Sequence, residues 1–247
     1  MSLVKLGRFS RYAWWSAYVS ALLSVVGFAF LFLLYFYALQ PNVRVPRGGN
    51  PLDFGHLNDI VGLFAPLCML PLPVALYALT SHRRPGLSWA AMALGVLGLL
   101  TTIIAQVLLV AHVISFAVNL PFTLGGLVLL GVWMILANHL GRASGALSPR
   151  LAWLGELTGT ALASEGGLVF LLVLASALNP ALVTHLGTLA PQAPALIGAA
   201  IVLAIPGLLA YFLGVPIWLI GPGRRLLATT PTPARSERLL AWADTPV

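Results

Sequence analysis

The chain has 247 residues, 60% apolar and only 8% charged, with a mean hydropathy of +0.97. A soluble domain carries about a quarter charged residues, so a water-soluble globule and a disordered chain are both excluded. The formal charge of +7 comes from 13 basic residues scattered over short segments, which make no continuous face for nucleic acid.

A bilayer core about 30 Å thick takes roughly 20 apolar residues in helical form. Spans of this kind are predicted at 16–39, 57–79, 89–118, 122–137, 153–178 and 195–220. The expected fold class is all-α, an integral membrane bundle of six transmembrane helices over 16–220. A basic N-terminus (1–15) precedes it and a tail (221–247) follows. The first apolar core is too long for a signal peptide and no small-residue cleavage site follows it, so it is expected to be retained. The third span is the longest and the fourth the shortest. Polar or Pro/Gly segments at 40–55, 80–88, 138–150 and 179–194 connect the spans, with a tight hairpin at Asn119-Leu-Pro between the third and fourth.

Charge orients this bundle. With the N-terminus in the cytoplasm, the basic residues of the N-terminus join Arg83, Arg84, Arg142, Arg150 and the arginines of the tail on one side. Only Arg44 and Arg47 of the 13 basic residues then fall outside. That bias obeys the positive-inside rule and places both termini in the cytoplasm. Trp14, Trp15, Trp89, Trp153 and Trp218 fall near the same ends, where indole anchors at headgroup level. The Ala/Leu/Gly-rich composition points to a bacterial plasma (inner) membrane.

Along the chain, the lone Cys68 lies in an apolar run and reads as a small hydrophobe. Pro66, Pro71 and Pro73 interrupt the second span, and Pro206 and Pro216 the sixth. Each removes a backbone donor, giving either an ordinary kink or the broken helix of a transporter. Gly155, Gly159, Ala163 and Gly167 form a small-residue stripe on the fifth span, suited to packing within the bundle or against a partner. Gly125, Gly126 and Gly131 read the same way on the fourth. Thr232 and Pro233 open a short tail helix suited to the membrane surface.

Few residues can carry chemistry. Glu165 lies about 18 Å along the helix axis from Trp153, close to mid-membrane. An ionised carboxylate there costs at least about 2.5 kcal/mol, so proton coupling and a protonated hydrogen-bonding role are both open. Glu156, near Arg150 at the start of that helix, reads as structural. His56, His112 and His185 gather on the outer side with Asp59, Gln106 and Asn119. His56, Asp59 and His112 are candidate ligands for a metal or cofactor, and His112 is the first choice for a haem or pigment. Interfacial histidines with polar neighbours are the plainer reading. No GxSxG, P-loop or GxGxxG is present, so the reading leans away from an enzyme and assigns no cofactor.

The segments 144–155 (SGALSPRLAWLG) and 214–226 (GVPIWLIGPGRRL) resemble patterns in uncharacterised multi-pass bacterial membrane proteins. The resemblance covers the C-terminal two-thirds. It implies a six-helix inner-membrane fold and no established activity. Three functions follow, in order. The first is a non-catalytic accessory or scaffold subunit of a membrane complex, with lipid and other subunits or a second copy as partners. The second is a small proton-coupled transporter using Glu165. The third is a haem- or pigment-binding protein ligated at His112.

Overall fold

The computed structural model of the chain describes residues 3–38, 54–178 and 209–228. Among them the regular elements are all helices: α1 (Leu3–Ala38), α2 (Phe54–Met69), α3 (Pro71–Thr80), α4 (Pro85–Val110), α5 (Phe116–Ser144), α6 (Pro149–Leu178) and α7 (Val215–Ala228). One π-helical turn, Ala210–Gly214, leads into α7. Four stretches are long and apolar enough to cross a membrane: Arg11–Leu33, Gly55–Thr80, Pro85–Val110 and Phe116–Ser144. The protein is therefore a helical bundle of membrane type. The fifth predicted span lies within α6. Most of the sixth, the 179–194 connection with His185, and the tail helix at Thr232 lie outside the described residues.

The helices close into a ring in chain order. α1 packs on α2, α2 on α4, α4 on α5, α5 on α6, α6 on the π turn and α7, and α7 back on α1. α3 packs on α1, α4 and also α5, which places it inside one end of the ring. Its Leu72, Pro73, Ala75 and Leu76 are buried there. Arg83, Arg142 and Arg150 sit at that basic end; His56 and His112 mark the opposite, histidine end.

Prolines set the break in the second span. Pro71 has no N–H for the Leu67 carbonyl, so Leu70 N bonds it instead at 3.3 Å and the helix restarts with Pro71 in its first turn.

Two boundaries differ from expectation. The hairpin predicted at 119–121 lies at 111–115, and Pro121 sits inside α5. The chain reverses at His112, whose φ is +57°, and the Ser115 carbonyl receives Val118 N (3.0 Å) and Asn119 N (2.9 Å). Asn119 is then buried within the helix, where its Oδ1 accepts from Thr123 Oγ1 at 3.3 Å. His112 is accordingly an exposed turn residue rather than part of the last turns of a helix.

The second difference is at the other end of α5. The predicted connection 138–150 is helical through Ser144, so the span expected to be shortest is longer than α4. The reason is the SGAL segment. Gly145 takes the left-handed conformation (φ +76°), Leu147 N bonds the Gly141 carbonyl at 3.0 Å, and the buried Leu147 packs over Gly141. Pro149 then opens α6. The expected tail also begins late, since α7 continues to Ala228.

Candidate functional site

The small residues of α5 and α6 face each other. A Cβ on Gly131 would meet the Ala163 nitrogen and the Gly159 carbonyl, both at 2.6 Å. A Cβ on Gly155 would lie inside the Asn138 amide. Gly167 is looser, with Val128 Cγ2 at 4.0 Å from its added Cβ. On the other face of α5, Gly126 meets Gly98 and Thr102 of α4. These glycines are thus occupied within the ring.

Asn138 and Trp218 are both fully buried. Asn138 Nδ2 donates to the Met134 carbonyl at 2.7 Å, and its Oδ1 accepts from Trp218 Nε1 at 2.8 Å. Trp218 meets Trp133 edge-on, with centroids 5.8 Å apart. Trp218 is therefore a core residue and not a headgroup anchor; Trp15, Trp89 and Trp153 are exposed. The sequence disguised this, because a Trp two residues after a helix-end proline looks the same in either role.

Glu156 pairs with Arg142 across the α5–α6 turn at 3.0 Å, rather than with the expected Arg150. The distance makes an ion pair, but its angles do not make a hydrogen bond. Both side chains keep contact with solvent (41% and 21% exposed), so Arg142→Ala is expected to cost about 1 kcal/mol or less in thermal unfolding. A larger loss would mean the pair is an essential clasp.

Above this core, toward the histidine end, the ring opens into a cavity of about 150 Å³. α1 contributes Ser24 and Gly27, α2 Asn58 and Gly62, α4 Thr102 and Gln106, α5 Thr123, and the π turn Tyr211. A narrower pocket of about 30 Å³ continues toward α3, sharing Ser24, Ala65, Thr102, Leu127 and Tyr211, and adding Ser20, Pro66 and Leu162. All six staves of the ring therefore reach this space. Both backbone irregularities border it: Pro66 in the second stave and the π turn in the last. Irregular backbone at membrane depth is tolerated where it is buried in protein or lines a cavity.

The hydroxyl protons are already engaged. Ser20 Oγ donates to the Ala65 carbonyl (2.8 Å), Ser24 Oγ to the Ser20 carbonyl (2.9 Å), Thr102 Oγ1 to the Gly98 carbonyl (3.0 Å) and Thr123 Oγ1 to Asn119 Oδ1. Their oxygens keep lone pairs. Pro66 has no N–H to offer the Gly62 carbonyl one turn earlier. Gln106 Oε1 is buried without a hydrogen-bond partner among the described residues.

Of the residues singled out from sequence, Gln106 lines the cavity. Glu165 does not line either part. It lies two turns beyond Thr158, on the α6 face that meets Gly214 of the π turn. His56 and His112 are brought together at the histidine end, with near-parallel rings 6.2 Å apart. No group of three His, Cys, Asp or Glu able to hold a metal occurs among the described residues, so this pair falls short of three protein ligands. Ser24, Asn58, Thr102, Thr123 and Tyr211 went unread. The signal for Ser24, Thr102 and Thr123 was the recurrence of polar residues at i, i+4 in apolar helices: Ser20 and Ser24, Thr102 and Gln106, Asn119 and Thr123; Asn58 and Tyr211 carried no such signal.

No family model, curated protein or solved structure matches this chain.

Proposed function

We propose that the chain is a six-span membrane protein with both ends in the cytoplasm, which admits a small solute to the central cavity and passes it across the bilayer. The observation that carries this reading is the cavity itself, lined by hydroxyls and amides inside an otherwise apolar bundle and bordered by α1, α2, α4, α5 and the π turn, with α6 reaching its narrow continuation through Leu162. Buried polar groups in lipid are expensive and mark solute or ion paths. A scaffold subunit has no use for them, and the glycines that would have offered a partner a docking stripe are packed inside the ring. The positive-inside pattern places the histidine end outside and α3 beneath the cavity as the inner barrier. Transport then requires α3 to move about the Leu70 break, which is the role of a hinge. Glu165 is not needed for this step. A bacterial inner membrane suits the composition.

The test is solute entry into liposomes containing the purified protein, followed by light scattering after osmotic challenge. Permeability should exceed that of protein-free vesicles by about tenfold or more for at least one small solute. Equal permeability for every neutral and charged solute tried would end the carrier reading.

A further inference from the structure

Resting on the carrier reading, we infer that the cavity takes an uncharged solute of about the size of benzene that donates hydrogen bonds, and that Gln106 Oε1 is its principal acceptor.

Three observations converge. First, the lining serine and threonine hydroxyls offer lone pairs rather than protons, because Ser24, Thr102 and Thr123 have committed their protons elsewhere, while the amides of Asn58 and Gln106 bring N–H groups beside them. The proline at 66 adds a carbonyl, Gly62, that lacks its usual donor. Second, Gln106 Oε1 is buried and unpartnered among the described residues, and such an acceptor is satisfied only when something donates to it. An apolar guest would leave it orphaned. Third, among the described residues no Asp, Glu, Lys, Arg or His lines the cavity, so they offer neither an anion nor a cation a countercharge at a depth where unpaired charge is costly.

Size narrows the class further. An apolar cavity of about 150 Å³ in a protein core holds one benzene, so this one has room for a single polyol or amide of similar bulk. Gly27 and Gly62 keep it open: an added Cβ would sit 3.6 Å from Asn58 Oδ1 at the first and 3.6 Å from Gln106 Nε2 at the second.

The experiment compares glycerol and urea with lactate, ethanolammonium and sodium ions in the same proteoliposomes, for the native chain and for Gln106→Leu. Leucine keeps the helix and removes the orphaned acceptor, so the variant should elute and unfold like the native chain. If it does not fold, Gln106→Met replaces it, an unbranched side chain of similar length that also lacks the amide acceptor. The expected result is entry of glycerol or urea well above protein-free vesicles, charged solutes at background, and a fall of about tenfold in the variant. Entry of a charged solute with glycerol and urea at background overturns the inference and leaves the carrier reading standing. Undiminished glycerol and urea entry in a folded variant overturns the role of Gln106. Background entry for all five probes overturns both.

Discussion

Gly155→Ala, a change of one methyl group, is expected to remove the folded bundle. The new Cβ would occupy the space of the Asn138 amide, which is fully buried and cannot retreat toward solvent. Displacing that amide breaks its bond to the Met134 carbonyl and leaves Trp218 Nε1 without an acceptor. Trp218 in turn holds Trp133, whose ring covers Gly95, where an added Cβ would lie 2.8 Å from Cγ. Overpacking costs about 1–3 kcal/mol and each of the two orphaned donors, Asn138 Nδ2 and Trp218 Nε1, about 1–3 kcal/mol, so a total of about 3–9 kcal/mol is expected. Domains have only about 5–15 kcal/mol in hand. The measurement is size-exclusion elution with thermal unfolding in mild detergent. Trp218→Phe, which orphans Asn138 Oδ1 without any steric clash, should cost less. Gly86→Ala, where an added Cβ meets nothing within 4 Å, should be harmless or slightly stabilising. If Gly155→Ala behaved like Gly86→Ala, the Asn138–Trp218 bond would not be what locks α5, α6 and α7 together.

The class of fold was legible because it depends on composition and on runs of apolar residues, and both are properties of the sequence alone. The break near Pro71 was legible for a similar reason, since a missing N–H is local chemistry. Helix ends were harder. Asn119-Leu-Pro has the residues of a turn, yet the chain turned at His112 and absorbed Pro121 into α5, because Ser115 offered its carbonyl to Val118 and Asn119. Asn138 looked like a loop residue for want of any sign that Trp218, 80 residues away, would bond its amide. The site was less legible still. In a membrane sequence a charged residue draws attention, and Glu165 stood out for that reason. The cavity is instead made by neutral residues on five helical segments, which only the closure of the ring brings together.

Closure of the ring also explains why the polar groups lie where they do. Whereas Ser20 reaches the Ala65 carbonyl of α2, Ser24, Thr102 and Thr123 satisfy their own protons on the preceding turn of their own helix. They therefore add little penalty to insertion of each helix singly. Gln106 cannot close such a bond for Oε1, so its acceptor is left for the assembled bundle or its guest. The lower pocket stays narrow because Met69, Leu99, Leu130 and Met134 fill it from three staves, α2, α4 and α5. The outcome is a polar cavity over an apolar, narrower pocket, which is the arrangement the proposed carrier would need to exclude ions at rest.

Gly62→Leu is expected to separate stability from transport. Gly62 lies on α2 facing Gln106, and the nearest atoms to an added Cβ are Gln106 Nε2 at 3.6 Å and Cδ at 3.8 Å, both ordinary contacts. A leucine therefore fits without forcing the backbone, and its outer carbons extend into the cavity of about 150 Å³. Glycine in a helix interior is less favourable than leucine by somewhat under 1 kcal/mol, and filling a void adds contacts that were missing. The variant should unfold at the same temperature as the native chain or a few degrees higher. Its solute permeability should nevertheless fall at least about tenfold, because the space that held the solute is occupied and the Gln106 acceptor is screened. The two readouts move in opposite directions, which no general folding defect can produce. Gly27→Leu is the poorer choice, since its added Cβ would already press on Val61 Cγ1 at 3.2 Å. Full permeability in a well-folded Gly62→Leu protein would mean that solute crosses elsewhere and that the cavity is only a packing gap between α1, α2, α4, α5 and the π turn.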